Sequence, residues 1–167
     1  PVYYKMSYPE WAPFEKAEGR PIHPDRGPEV MSQTKQDSRN KDLLPNGNEI
    51  IKTANHFVVV LGDRPEKALM TMKTTQLKTS RQWNSLIENE FETDPSTGKS
   101  VPAPRFSRIY KLTSVENSGS FTWHGYSVNL LRKVDNTSLY QMAREFYGSL
   151  KRSQVNAESS PQEESNY

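Results

Sequence analysis

"MTMKTTQLKTSRQWNSLI", Met70 to Ile87, changes its period halfway. Its first part closes the run "KALMTMK" (Lys67–Lys73), whose mixed apolar and polar residues read as a strand. From Trp83 the apolar residues Leu86, Ile87 and Phe91 recur at helical spacing. Thr74 or Thr75 stands at the junction, where a hydroxyl can accept from the exposed amides of a first helical turn. A helix is therefore expected from this junction to about Glu92, with Trp83, Leu86 and Ile87 turned into a core. Lys73, Lys78 and Arg81 are left on its outer side.

Upstream, "ANHFVVVLG" (Ala54–Gly62) holds the longest apolar run, Phe57 to Leu61, and reads as a buried strand ended by glycine. "DRP" turns the chain, so this strand and Lys67–Lys73 form a hairpin. "VYYKMSY" (Val2–Tyr8) is a further short strand that stops at Pro9. Between Pro13 and Asn48 no apolar period persists, and Pro, Gly, Asp, Asn and Ser recur, so a long loop is expected. "LPNGNEI" (Leu44–Ile50) closes it with a turn signal.

Downstream, "DPSTGKSVPAP" is expected to be a loop. "RFSRIYKLTSV" (Arg105–Val115) and "SFTWHGYSVNLL" (Ser120–Leu131) are strands joined by a turn at Asn117–Gly119. Phe106, Arg108, Tyr110 and Leu112 share one face of the first; Ile109, Lys111, Thr113 and Val115 share the other. A final helix follows, capped by Asn136, Thr137 or Ser138, with a stripe of Leu139, Met142, Ala143, Phe146 and Leu150.

This order predicts a mainly β, β-rich α+β fold. Three strands, a helix and two strands match an OB-like five-stranded antiparallel barrel with a helix between strands three and four, followed here by a C-terminal helix. The rival architecture is an antiparallel sheet with two helices on one face. Residues 1–152 form one domain in this reading, with the long loop at about 13–48 and a disordered acidic tail at 153–167.

Composition narrows the chemistry. The 167 residues contain no cysteine, which excludes disulfides and thiolate chemistry. His23, His56 and His124 lack any local ligand spacing. "STGKS" (Ser96–Ser100) lacks the upstream glycine and strand of a phosphate loop, and the carboxylates from Glu88 to Asp94 read as a solvated helix end. No nucleophile, base and orienting group come together, so no enzyme, cofactor or metal is expected. Net charge is +2, but unevenly spread. Residues 50–134 hold 12 Lys and Arg against 7 Asp and Glu, whereas 153–167 hold 3 Glu and no Lys or Arg. A basic body with an acidic tail suits a polyanion partner.

The candidate binding residues are the cations and aromatics interleaved along the later elements: Lys73, Lys78 and Arg81; Arg105, Arg108, Tyr110 and Lys111; Trp123, Tyr126 and Arg132, with Phe121 and Lys133 beside them. Cations that track phosphates and rings that stack on bases hold single-stranded nucleic acid. The competing expectation is that the rings fill the core and the cations solvate its rim.

"WAPF" at Trp11, "LPNGNEI" at Leu44, "ALMTMKTTQLKTSRQWNSL" at Ala68 and "FSRIYKLTSV" at Phe106 resemble a family of bacteriophage-encoded proteins, some described as single-stranded DNA-binding. The most distinctive run is Lys73, Gln76, Leu77, Lys78, Ser80, Arg81 and Trp83. The resemblance implies a non-catalytic phage protein of replication or recombination, acting in the cytoplasm of an infected bacterial host. Single-stranded DNA would be its partner, and its tail would recruit replication or recombination proteins. The alternative is a phage structural or protein-interaction module.

Overall fold

The change of period inside Met70–Ile87 is a change of element. The computed structural model describes residues 1–16, 18–119 and 122–159. In chain order these form β1 (Tyr3–Ser7), β2 (Glu10–Trp11), β3 (Lys35–Gln36), β4 (Asp42–Leu43), β5 (Glu49–Ile50), β6 (Thr53–Val60) and β7 (Glu66–Lys73). A 3-10 turn at Thr74–Gln76 leads into α1 (Leu77–Glu88). Then come β8 (Phe91–Thr93), β9 (Ser100–Pro102), β10 (Arg108–Ser118), β11 (Thr122–Lys133) and α2 (Thr137–Ser159). Of the tail expected to be disordered at 153–167, residues 153–159 instead continue α2; the rest of it, from Ser160, and Phe121 lie outside the described residues.

β1, β6 and β7 make one antiparallel sheet, β10 and β11 a second. The register pairs Tyr4 with His56 and Met6 with Ala54, and across β7 it pairs Ala54 with Met72 and Val58 with Ala68. Those side chains share a face and meet Trp83 and Ile87 of α1. Tyr110, Leu112, Tyr126 and Val128 close the same core from the second sheet. The opposite face of the first sheet takes α2, with Phe57 against Phe146 and Tyr3 against Tyr147. Asn136 caps α2, its Oδ1 accepting from Leu139 N at 2.9 Å.

The β-rich α+β class and the order of long elements are as expected. The closed barrel is not formed: the five strands fall into two open sheets that share no ladder. α1 takes part of the space between them, and Thr79 Oγ1 donates to Tyr126 O of β11 at 2.9 Å.

Several local expectations are corrected. Residues 13–48 are not one loop. They hold β3 and β4, two strands of a four-stranded sheet ordered β2-β5-β4-β3, which lies over a small core of Val30, Leu44 and Ile50. Its two-residue strands are too short to leave a period. Carboxylates organise it instead. Glu10 is buried and accepts from Asn48 Nδ2 at 2.6 Å, with Arg26 Nε 3.3 Å away. Asp25 Oδ1 accepts from Tyr8 N and Gly27 N. The "DPSTGKSVPAP" segment contributes to the β8–β9 hairpin, whose turn is tied by Asp94 to Ser96 and Thr97. α1 ends at Glu88, so Phe91 belongs to β8 and is exposed rather than on the helical stripe.

No threonine side chain caps α1. Thr74 has φ +48°, a left-handed conformation that a β-branched residue adopts at a cost of about 1–2 kcal/mol. Thr74→Gly is expected to raise stability by roughly 1 kcal/mol, the relieved strain being partly offset by glycine's greater freedom when unfolded. Urea denaturation checks the sign; a lower midpoint would mean that the threonine is unstrained there.

Candidate nucleic-acid interface

The β10–β11 hairpin is far longer than its core contact. Arg108 to Ser118 pair with Lys133 to Thr122, and one register shift falls between Ile109 and Tyr110. Opposed residues of an antiparallel pair point to the same side. One side therefore carries Tyr110, Leu112, Val128 and Tyr126, which pack on the core. The other carries Lys111 opposite Asn129, Thr113 opposite Ser127, Val115 opposite Gly125, and Asn117 opposite Trp123, with Arg132 opposite Ile109 beyond the shift. No Asp or Glu stands on this outer side. Lys111 and Arg132 are exposed at one end, and Trp123 is 41% exposed at the other. Six residues separate Asn117 from Lys111, so the two ends lie about 20 Å apart at strand rise.

Several candidates from the sequence are internal. Arg108 is 5% exposed. Its Nε donates to Glu90 Oε2 at 2.7 Å, its Nη1 to Ser107 Oγ at 2.9 Å, and its Nη2 to Phe91 O at 3.2 Å. A guanidinium so occupied has no donor fork left for phosphate. Arg105 is partly buried, donates to Asn84 Oδ1 and lies over the Tyr4 ring at 5.6 Å. Tyr110 meets Trp83 edge-on at 6.0 Å, and burial pushes its phenol up to about 12. Tyr126 packs against the core. These four contribute to stability rather than to an open binding face. The spacing of a strand reports which side a residue takes, not how deep that side is buried.

The other cations are dispersed. Lys73 sits over the Trp11 ring at 5.0 Å, tying β7 to the small sheet. Lys78 and Arg81 are exposed on α1, on the side away from Ser80, Trp83 and Ile87. Arg132 pairs with Asp135 at 2.6 Å, and that guanidinium holds the Asp135 carboxyl below its usual range. Lys111 has no ion-pair partner among the described residues. The sequence offered little signal for this face: Arg105–Val115 holds no carboxylate on either side, so alternation alone does not single out Lys111.

A buried pair lies behind this hairpin. His56 Nε2 is 2.8 Å from Ser80 Oγ, and its ring stacks on Trp83 at 4.7 Å. His56 and Ser80 are both sealed from solvent, and no carboxylate orients the imidazole, so the pair is a core hydrogen bond and not a nucleophile with its base. No cluster of His, Asp and Glu among the described residues has the geometry to hold a metal ion.

Fold and face together define a β-rich α+β domain that projects a long hairpin with a cationic and aromatic outer side. The family model of the Pam3 phage gp34-like protein matches residues 1–156, and the chain belongs to that bacteriophage family. Curated proteins give no match, nor do solved structures. Among the described residues no helix is long and apolar enough to cross a membrane.

Proposed function

We propose that the chain binds single-stranded DNA along the outer side of the β10–β11 hairpin, without catalysis, in phage replication or recombination within the host cytoplasm. The observation that carries this reading is the outer side itself: exposed cations at one end, an exposed tryptophan at the other, hydroxyls and amides between, and no carboxylate. Lys111 and Arg132 take phosphates, Arg132 exchanging the Asp135 carboxylate for one. Trp123 stacks on a base, a contact worth about 1–3 kcal/mol. Lys78 and Arg81 extend the positive field along α1. The acidic tail recruits replication or recombination proteins. Membership in a phage family is consistent with this role, since genome copying exposes single strands.

Anisotropy of a fluorescent oligo-dT, titrated at about 50 mM and about 200 mM salt, tests the reading. Binding is expected to weaken steeply with salt. Trp123→Ala is expected to lower affinity about tenfold, within the stacking range, and leave the melting temperature unchanged. Lys111→Ala is expected to weaken binding across sequences and to reduce the salt slope by about one. Absence of binding at the lower salt would remove the nucleic-acid reading altogether.

A further inference from the structure

The turn Leu44–Asn48 joins β4 to β5 and carries an Asn-Gly pair, Asn46 and Gly47, at its exposed tip. Gly47 has φ +85°, a conformation that favours glycine, so the turn selects that residue. The same choice leaves the Gly47 main-chain nitrogen with no side chain to shield it. An asparagine side-chain carbonyl next to such a nitrogen closes a five-membered ring whenever the two can meet.

The folded turn keeps them apart. Gly47 N donates to Leu44 O at 2.9 Å, and Leu44 N donates to Asn48 O at 2.8 Å. The Asn46 amide is held at both ends. Its Oδ1 accepts from Asn48 N at 3.0 Å, and its Nδ2 lies 3.5 Å from Glu10 Oε1. Opening the turn releases all of these contacts together. β5 pairs with both β2 and β4, so the turn fixes the central pairing of the small sheet. The core of that sheet, Val30, Leu44 and Ile50, is separate from the larger core around Trp83. A unit with its own core can open while the rest of the domain stands.

We propose that Asn46 is a self-modification site gated by the small sheet, and that its conversion is a one-way switch. When the sheet opens, Gly47 N attacks Asn46 Cγ and a C–N bond forms. The Cγ–Nδ2 bond breaks, and ammonia leaves with the proton that Gly47 N gives up. Water then adds to one of the two carbonyls of the succinimide ring and opens it. Breaking the new C–N bond gives aspartate; breaking the main-chain bond between residues 46 and 47 gives isoaspartate. In sum an amide and a water become a carboxylate and ammonium. Neither product restores the turn as it was. Isoaspartate adds a carbon to the main chain between Leu44 and Asn48, which shifts β5 against β4. Aspartate puts a carboxylate oxygen where Asn46 Nδ2 stands, beside the buried Glu10 carboxylate. Like charges so placed oppose each other, and Arg26 meets Glu10 at its other oxygen, Oε2. The switch needs neither DNA nor a partner.

Peptide mapping of the whole protein tests it. One sample is kept folded and one unfolded in guanidinium chloride, both in mildly alkaline buffer. Trypsin releases residues 42–52 as one peptide, and fragmentation locates the exchange of amide for carboxylate. Asn46 is expected to convert at least about tenfold faster in the unfolded sample, since the folded turn must first open. After refolding, hydrogen exchange on the converted protein is expected to show lost protection in β2, β4 and β5 and retained protection in β6 and β7. Asn46→Ser, whose hydroxyl can still accept from Asn48 N but cannot close the ring, is expected to regain protection throughout after the same treatment. The proposal is overturned if the unfolded chain converts at Asn48 rather than Asn46, or if folded and unfolded samples convert at the same rate. It is equally overturned if the converted protein regains its protection, or if the Ser variant loses the same amides.

Discussion

Arg108→Ala is expected to lower the unfolding free energy by about 3–5 kcal/mol, the range for removing one partner of a buried ion pair. The side chain joins three elements. Its Nε holds Glu90 in the link between α1 and β8, its Nη2 holds the Phe91 carbonyl of β8, and its Nη1 holds Ser107 at the foot of β10. Removing it leaves the Phe91 carbonyl and Ser107 hydroxyl short of a donor and Glu90 without its counter-ion. Glu90 is a quarter exposed, so water recovers part of the loss and the effect falls toward the lower figure. Arg108→Lys is expected to rescue little, since one ammonium cannot reach three groups set around a planar fork. Glu92→Ala makes the contrast: it lies 3.9 Å away and is a third exposed, so its removal is expected to cost about 1 kcal/mol or less. Chemical denaturation of the three variants checks the ranking. Equal, small losses would mean that Arg108 is a surface cation after all, available to phosphate.

That residue also marks where sequence reasoning stopped. Alternation correctly separates Arg108, Tyr110 and Leu112 from Lys111 and Thr113. It does not say that the first set faces Trp83 and the second faces outward, because polar and apolar residues mix on both sides. Depth is set by what packs above the strand, and α1 arrives there through the Trp83 contacts. The long elements were legible for a related reason: β6, β7, β10, β11, α1 and α2 each repeat a period often enough to be read. β2 to β5 do not, at two residues apiece, and their order depends on Glu10, Asp25 and the Asn46–Asn48 turn, which are far apart in sequence. Barrel closure was misjudged because it depends on whether strand edges meet. No side-chain pattern encodes that, and here the edges of β6 and β10 stay apart.

Lowering the pH from about 6.5 to about 4 is expected to remove roughly 3 kcal/mol of stability through His56 alone. The ring is fully buried between Tyr4, Trp83 and Ser80. Desolvation, reinforced by the nearby Arg105 cation, lowers its pKa to about 4 from the usual 6.5. The folded state therefore holds a neutral imidazole at a pH where the unfolded chain has already taken up a proton. Stability is full above the unfolded value, falls as the pH drops through 6.5, and stops falling below the folded value. A gap of about 2.5 units corresponds to roughly 3.4 kcal/mol, which is the origin of the figure. His56→Gln is the discriminating variant, since an amide can bond Ser80 but does not titrate. It is expected to start less stable than the parent because packing on Trp83 is lost, and to keep a flat profile between pH 6.5 and 4. Below that window both proteins fall together. Burial opposes ionisation of Glu10 and Asp25, yet Asn48 and Asn46 for the one, and the Tyr8 and Gly27 amides for the other, hold both carboxyls below their usual range. Their contribution is lost only as they protonate, at lower pH than His56. A pH series of urea midpoints separates the two phases. If the Gln variant shows the same slope as the parent between pH 6.5 and 4, the proton is taken up elsewhere and the buried imidazole is not its acceptor.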